Sequence, residues 1–450
     1  MSKSWLIPLG LVDDVIAAPI VLGGLAASCF PAKDETGSRA GTKVSQIALI
    51  GLLLFVVSPV SLHLNRIVCW EAVFMLIAIS RPLLGERQTP IDRPGKIFCC
   101  YMVASALLSL FAGHSWKGVL AELTPALEMF LCFRLGACLE LNDGTKQRWM
   151  RWILIMVSLR SAWQIVAVIL GINIIPPIYD AEHELKAVVS IGGFDFERLI
   201  DPIAGLFVPI SATFLLFDMQ DRWAKVALAA CLAVCILGFT RSEWIGSALC
   251  VILLAWHSGR SRKLIKWASL SAASLTLLIS LTPNLCEAVS TRLVDYTAQQ
   301  MFDPHDELQQ LRFLELGTAL KAFESAPGFG IGLGSGLDTP VLTDEGWVFV
   351  IIHNSFANML ASIGLVGVGL MLYVVWKAWR VFARSYRNKN AFVLAGFLAL
   401  IWYGTFMAFQ PIYSVYHLPV IVGFLYGMGL SGGARPIGEM HPAAFAGPES

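Results

Sequence analysis

The sequence predicts an all-α polytopic membrane protein with about twelve transmembrane helices and a long outer loop between the ninth and tenth. Three observations predict it. Of 450 residues, 56% are hydrophobic and only 14% charged, whereas a soluble chain is roughly half apolar and about a quarter charged. Mean hydropathy is +0.67. Twelve apolar stretches approach the roughly 20 residues a helix needs to cross hydrocarbon. Too few charges remain to cover a soluble globule, so a soluble enzyme is excluded. The 33 Lys and Arg and 32 Asp and Glu cancel to +1, which points to no nucleic-acid partner. Fourteen Trp and 38 Gly suit a membrane bundle, where Trp marks interfaces and Gly lets helices approach. Nine of ten Cys lie in or beside apolar stretches, and Cys286 stands in a polar loop. With no C-x-x-C or Cys/His cluster, neither a disulfide framework nor a zinc site is indicated.

In chain order, the apolar stretch from Trp5 to Phe30 is interrupted by Asp13 and Asp14. Two adjacent Asp at mid-bilayer are expensive, so residues 1–44 read as an interfacial segment. The spans are expected at 45–63, 67–84, 97–113, 118–138, 152–171, 202–218, 223–239, 243–257, 267–282, 347–376, 391–409 and 412–430. Residues 431–450 are rich in Gly, Pro and Ala and read as a disordered tail.

Charge placement sets the orientation. Taken alternately, the loops on one side carry 22 of the 33 Lys and Arg and those on the other carry 8. The richer side is cytoplasmic by the positive-inside rule. Both termini are then cytoplasmic, whereas the turn at Arg241, the loop 282–346 and the start of the tenth span lie outside. A loop of about 65 residues is usually functional or a small folded unit.

The outer face also gathers the residues that can carry chemistry. His353 stands near the outer end of the tenth span. It reads either as a hydrogen-bonded helix residue or as a general base, since neutral imidazole takes a proton near neutral pH. Asn354 and Ser355 either orient it or a substrate hydroxyl, or cap a helix. Arg241 lies in a very short turn, as a snorkelling side chain paired with Glu243 or as an anion clamp. Arg312 belongs to a short amphipathic helix over 308–323, ended by Pro327. Gly328, Gly330, Gly332, Gly334 and Gly336 follow at every second position, either presenting amides to an anion or acting as a plain link. Gly364, Gly367 and Gly369 suggest tight helix contact further along. Arg198, just before the sixth span, is a further phosphate contact or an ordinary flank. Asp303, His305, Asp306 and Glu307 form either a cation site or a solvated loop. Arg134 and Arg160 fall inside spans, with Glu122 and Glu128 as candidate partners for Arg134.

Together these motifs resemble the O-antigen ligase and polymerase superfamily of bacterial polysaccharide assembly. The resemblance runs over roughly residues 195–376. It rests on a T-R-S turn at Arg241, a long outer loop with an Arg-led helix, a P-G-x-G-x-G run from Pro327, and H-N-S-F from His353 with G-x-x-G from Gly364. It implies a GT-C-like fold in a bacterial inner membrane and transfer of a glycan from an undecaprenyl diphosphate carrier on the periplasmic face. The acceptor is a hydroxyl of lipid A–core or of another polysaccharide. No cofactor and no essential metal are implied. His353 matches the family's catalytic His, and Arg241 and Arg312 match its diphosphate-binding Arg residues. Arg198 is a further candidate, and Asn354, Ser355, Gly330 and Gly332 are secondary ones. The loop is shorter and plainer than in some members. The alternative from another class is a transporter or flippase of lipid-linked oligosaccharide, which predicts charges spread through the bilayer and not gathered on one face.

Overall fold

The structure is a computed structural model. It describes residues 91–138, 141, 143–170, 188–191, 194–197, 202–217, 222–238, 241–258, 307–335, 339–343, 346–350, 354–386, 390–409 and 417–431, with a few isolated positions between 262 and 269. The expected interfacial segment, the first, second and ninth spans, the acidic cluster at Asp303 and the expected tail beyond residue 431 lie outside the described residues.

Ten helices are described. They are α1 (Asp92–Phe111), α2 (Trp116–Cys138), α3 (Asp143–Leu170), α4 (Pro202–Leu216), α5 (Arg222–Gly238), α6 (Arg241–Ser258), α7 (Glu307–Ser325), α8 (Ser355–Tyr386), α9 (Ala391–Met407) and α10 (His417–Leu430). Nine of them fall on the expected spans, and α7 on the expected loop helix. Two antiparallel hairpins occupy connecting segments. In the first, β1 (Val188–Ile191) pairs with β2 (Phe194–Glu197), with Val188 opposite Glu197. In the second, β3 (Thr339–Thr343) pairs with β4 (Gly346–Val350), with Thr339 opposite Val350. The tenth span was expected from residue 347, but β4 takes residues 346–350 and the helix begins at Ser355. The run Trp347, Val348, Phe349, Val350 is aromatic and β-branched, and a short apolar run has no period that separates strand from helix.

Among the described residues, two helical stretches, Asp92–Phe111 and Ser355–Ala383, are long and apolar enough to cross a membrane by length and composition. Four other described helices are apolar but shorter. All 15 residues of α4 are buried, and α10 is wrapped almost as completely. Their apolar residues serve the core on every face. The closest packing is between α2 and α10, which run parallel. A side chain at Gly423 would strike the Met129 carbonyl, and one at Gly427 the Phe133 carbonyl. Small residues are what let two backbones approach so closely.

Two buried cations are held near one end of the bundle. Arg134 Nε lies 3.2 Å from Asp92 Oδ1, so Arg134 is partnered by Asp92 at the start of α1, not by Glu122 or Glu128 as expected. Lys146, buried at the start of α3, donates to the Ser431 carbonyl after α10. Arg160 is also buried.

Candidate functional site

The opposite end of the bundle collects helix starts. Trp402 Nε1 donates to Ser247 Oγ at 3.1 Å, and Cys250 Sγ donates to the Leu398 carbonyl at 3.4 Å. Moving forward along α6 thus moves backward along α9, and α6 opens at Arg241 beside the end of α9. Ser247 Oγ donates to the Gly205 carbonyl at 3.0 Å, which places the start of α4 here too. Phe382 stacks on Phe397 at 4.0 Å. The last turns of α8 therefore meet the first turns of α9, and the start of α8 lies at the same end as Arg241. Pro202, four residues on from Arg198, and Ser355, two on from His353, each open a helix here.

A broken helix organises this end. Within α8, Gly364 has φ 63° and ψ −171°. An unbroken helix would bond the Leu365 amide to Ala361 and the Val366 amide to Ser362. Instead the loop after α7 enters the gap. Leu365 donates to the Pro327 carbonyl at 2.9 Å and Val366 to that of Gly328 at 3.0 Å. The freed carbonyls of Ala361 and Ser362 accept from Ile331 at 2.9 Å and Gly332 at 3.1 Å. Tyr101 Oη donates to the Ile363 carbonyl at 2.7 Å. Breaking a helix in apolar surroundings requires such replacement partners.

The rest of the loop is tied to α1 and α2. The Leu333 amide donates to Ser109 Oγ at 2.8 Å, and His114 Nδ1 lies 2.8 Å from the Leu333 carbonyl. The Gly334 amide donates to Glu122 Oε2 at 3.2 Å, and Asn358 Nδ2 donates to Glu122 Oε1 at 3.3 Å. Gly330 bonds back to Ala326 at 2.9 Å. Every amide from Gly330 to Gly334 is therefore bonded within the protein, that of Gly334 to a carboxylate. Gly330 and Gly332 are scaffold positions, with φ of 77° and 99°. The loop is not a plain link either.

The other site candidates divide as follows. His353 and Arg198 lie outside the described residues. Arg241 is the first residue of α6. Arg312 stands on α7 three and seven residues before Glu315 and Ala319, both buried, and Ala319 packs on Ala361 of α8. Asn354 caps α8, its Oδ1 accepting from the Ala357 amide at 3.0 Å, which is the capping reading of that residue. Ser355 is buried. Of the three glycines expected at a tight contact, Gly364 and Gly367 have close neighbours and Gly369 has none. Sequence reasoning missed Ser109, His114 and Asn358, and gave Glu122 the wrong partner. The only signal in the sequence was a carboxylate near the outer end of an apolar span. Among the described residues, no group of three or more His, Cys, Asp or Glu is placed to hold a metal ion.

A protein-family model described as O-antigen ligase matches residues 226–372. No curated protein sequence matches the chain. The matched region runs from within α5 to within α8 and includes Arg241, Arg312, the glycine loop and the sequence at His353.

Proposed function

We propose, from the premise that residues 226–372 carry an O-antigen ligase region, that the chain transfers a glycan from undecaprenyl diphosphate to an acceptor hydroxyl. The match at these residues is the observation that carries the reading, since Arg241, Arg312 and His353 all lie inside it. The gathering of the starts of α4, α6 and α8 at one end supports it. We assign that end to the periplasmic face of a bacterial inner membrane, with both termini cytoplasmic. The reading includes twelve spans, with a membrane domain over 45–430 and a periplasmic loop over 282–346. Exposed apolar side chains on the described helices support a lipid surround, among them Leu108 and Phe111 on α1, Trp256 on α6 and Leu372 on α8.

In the proposed reaction the acceptor oxygen attacks the anomeric carbon as the bond from that carbon to the diphosphate oxygen breaks. His353 takes the acceptor's proton. Negative charge develops on the leaving diphosphate, and fixed guanidinium groups at Arg241 and Arg312, with Arg198 as a further contact, stabilise it without rearranging. The planar fork of Arg fits phosphate oxygens in pairs. These cations supply the charge a metal would otherwise bring, so the reaction is metal-independent in this reading. The acceptor is lipid A–core for a ligase or another repeat unit for a polymerase.

The test is transfer by the purified chain from an undecaprenyl diphosphate-linked glycan to defined acceptors, with and without EDTA. Product on one acceptor class assigns ligase or polymerase. Absence of product on every acceptor rejects the reading. Activity lost to EDTA and restored by a divalent ion rejects metal independence.

A further inference from the structure

Glu122 joins three elements with one carboxylate. From α2 it accepts the Gly334 amide of the loop on Oε2 and the Asn358 side-chain amide of α8 on Oε1, at 3.2 and 3.3 Å. Asn358 is itself held on both sides. Its Oδ1 accepts from Ser362 Oγ at 3.4 Å, and its backbone amide donates to the Asn354 carbonyl at 3.0 Å. Two hydrogen bonds thus separate Glu122 from Asn354, the neighbour of His353. Glu122 borders a cavity of about 20 Å³ walled by Met102, Ala126, Met359 and Ile363, which is room for about one water.

The chemistry of this junction is specific. Both partners are donors, and an ionised carboxylate is acceptor on both oxygens. A glutamine offers one acceptor and one donor, so it satisfies only one partner unless Asn358 turns its amide over. Turning it over sets the Asn358 amino group against the Ser362 hydroxyl and changes how the first turns of α8 are held. We infer that Glu122 is a positioning residue, acting through Asn358 to set the first turns of α8, which His353 directly precedes in the sequence, against the glycine loop. The inference rests on the reading of His353 as the base. Misplacing a reacting group by about 1 Å costs as much as about 100-fold in rate.

The test is a reciprocal exchange in the full-length protein, with kcat and donor KM measured by the transfer assay and folding by thermal unfolding. Glu122→Gln is expected to lower kcat about 10- to 100-fold with donor KM nearly unchanged. Asn358→Asp sets two carboxylates face to face and is expected to lower it at least as far. The double variant Glu122→Gln with Asn358→Asp restores a donor–acceptor pair of reversed sense, with Gly334 and Ser362 still bonded. It is expected to recover most of the wild-type kcat. A double variant no better than the product of the singles overturns the inference, as does a Glu122→Gln that changes KM alone. If a single variant fails to fold, the double decides by the same criterion. If the double also fails to fold, Ser362→Ala decides, because it loosens Asn358 while leaving in place both amide bonds to Glu122, from Gly334 and from Asn358; a lowered kcat supports the inference and an unchanged one overturns it. Wild-type protein without transfer activity counts against the proposed function, whereas active wild type with unaffected variants counts against this inference alone.

Discussion

Gly330 and Gly364 lie backbone against backbone, 34 positions apart in the numbering, and neither has room for a side chain. A Cβ on Gly364 would meet the Gly330 amide nitrogen, and one on Gly330 would meet the Ser362 backbone. Both residues also hold positive φ, 77° and 63°. This contact allows the loop after α7 to enter the break in α8.

Alanine at either position is therefore expected to destabilise strongly. The left-handed conformation alone costs about 1–2 kcal/mol for a residue with a Cβ, and forcing atoms into a filled site adds about 1–3 kcal/mol. Gly328→Ala and Gly369→Ala meet nothing within 4 Å and serve as controls. Thermal unfolding in detergent checks this. Equal midpoints for Gly364→Ala and Gly369→Ala contradict it.

The buried pair of Asp92 and Arg134 gives a second expectation. Asp92→Ala leaves a guanidinium with 11% side-chain exposure facing a lost partner, and breaking a buried pair costs about 3–5 kcal/mol. Replacing both, as Asp92→Leu with Arg134→Met, is expected to regain most of that loss. A double variant as unstable as Asp92→Ala shows that the pair does not carry the stability of this end.

Orientation is checked with fusions. A reporter active only in the periplasm, fused near Asp303, is expected to be active, and one fused near Arg384 inactive. The reverse pattern removes the proposed function, because the carrier-linked glycan is expected outside.

Roles within the site separate by kinetics. His353→Ala is expected to lower the chemical step by about 10²–10⁴-fold and leave donor binding largely intact. Arg241→Lys and Arg312→Lys keep the charge but lose the paired fork, so both donor binding and transfer are expected to weaken. Folded, inserted variants are compared in separate binding and product assays. An active His353→Ala with weak donor binding makes His353 a substrate contact and moves the search for the base to Glu243, Asp303 and Asp344.

The sequence by itself determined where most described helices lie. Stretches read at 202–218 and 391–409 are Pro202–Leu216 and Ala391–Met407 in the structure. It also carried the family resemblance, which the family match over 226–372 bears out. Both are local properties, since apolarity and the sequence of residue types are written into neighbouring positions. Tertiary structure decided the rest. It chose Asp92 as the partner of Arg134 and used the Ile331 and Gly332 amides in mending α8. It also set Glu122 against Gly334 and Asn358, which lie 212 and 236 residues away. A buried carboxylate or amide takes whichever donor or acceptor the packing of distant elements delivers within about 3 Å, and no local pattern in the chain encodes that choice.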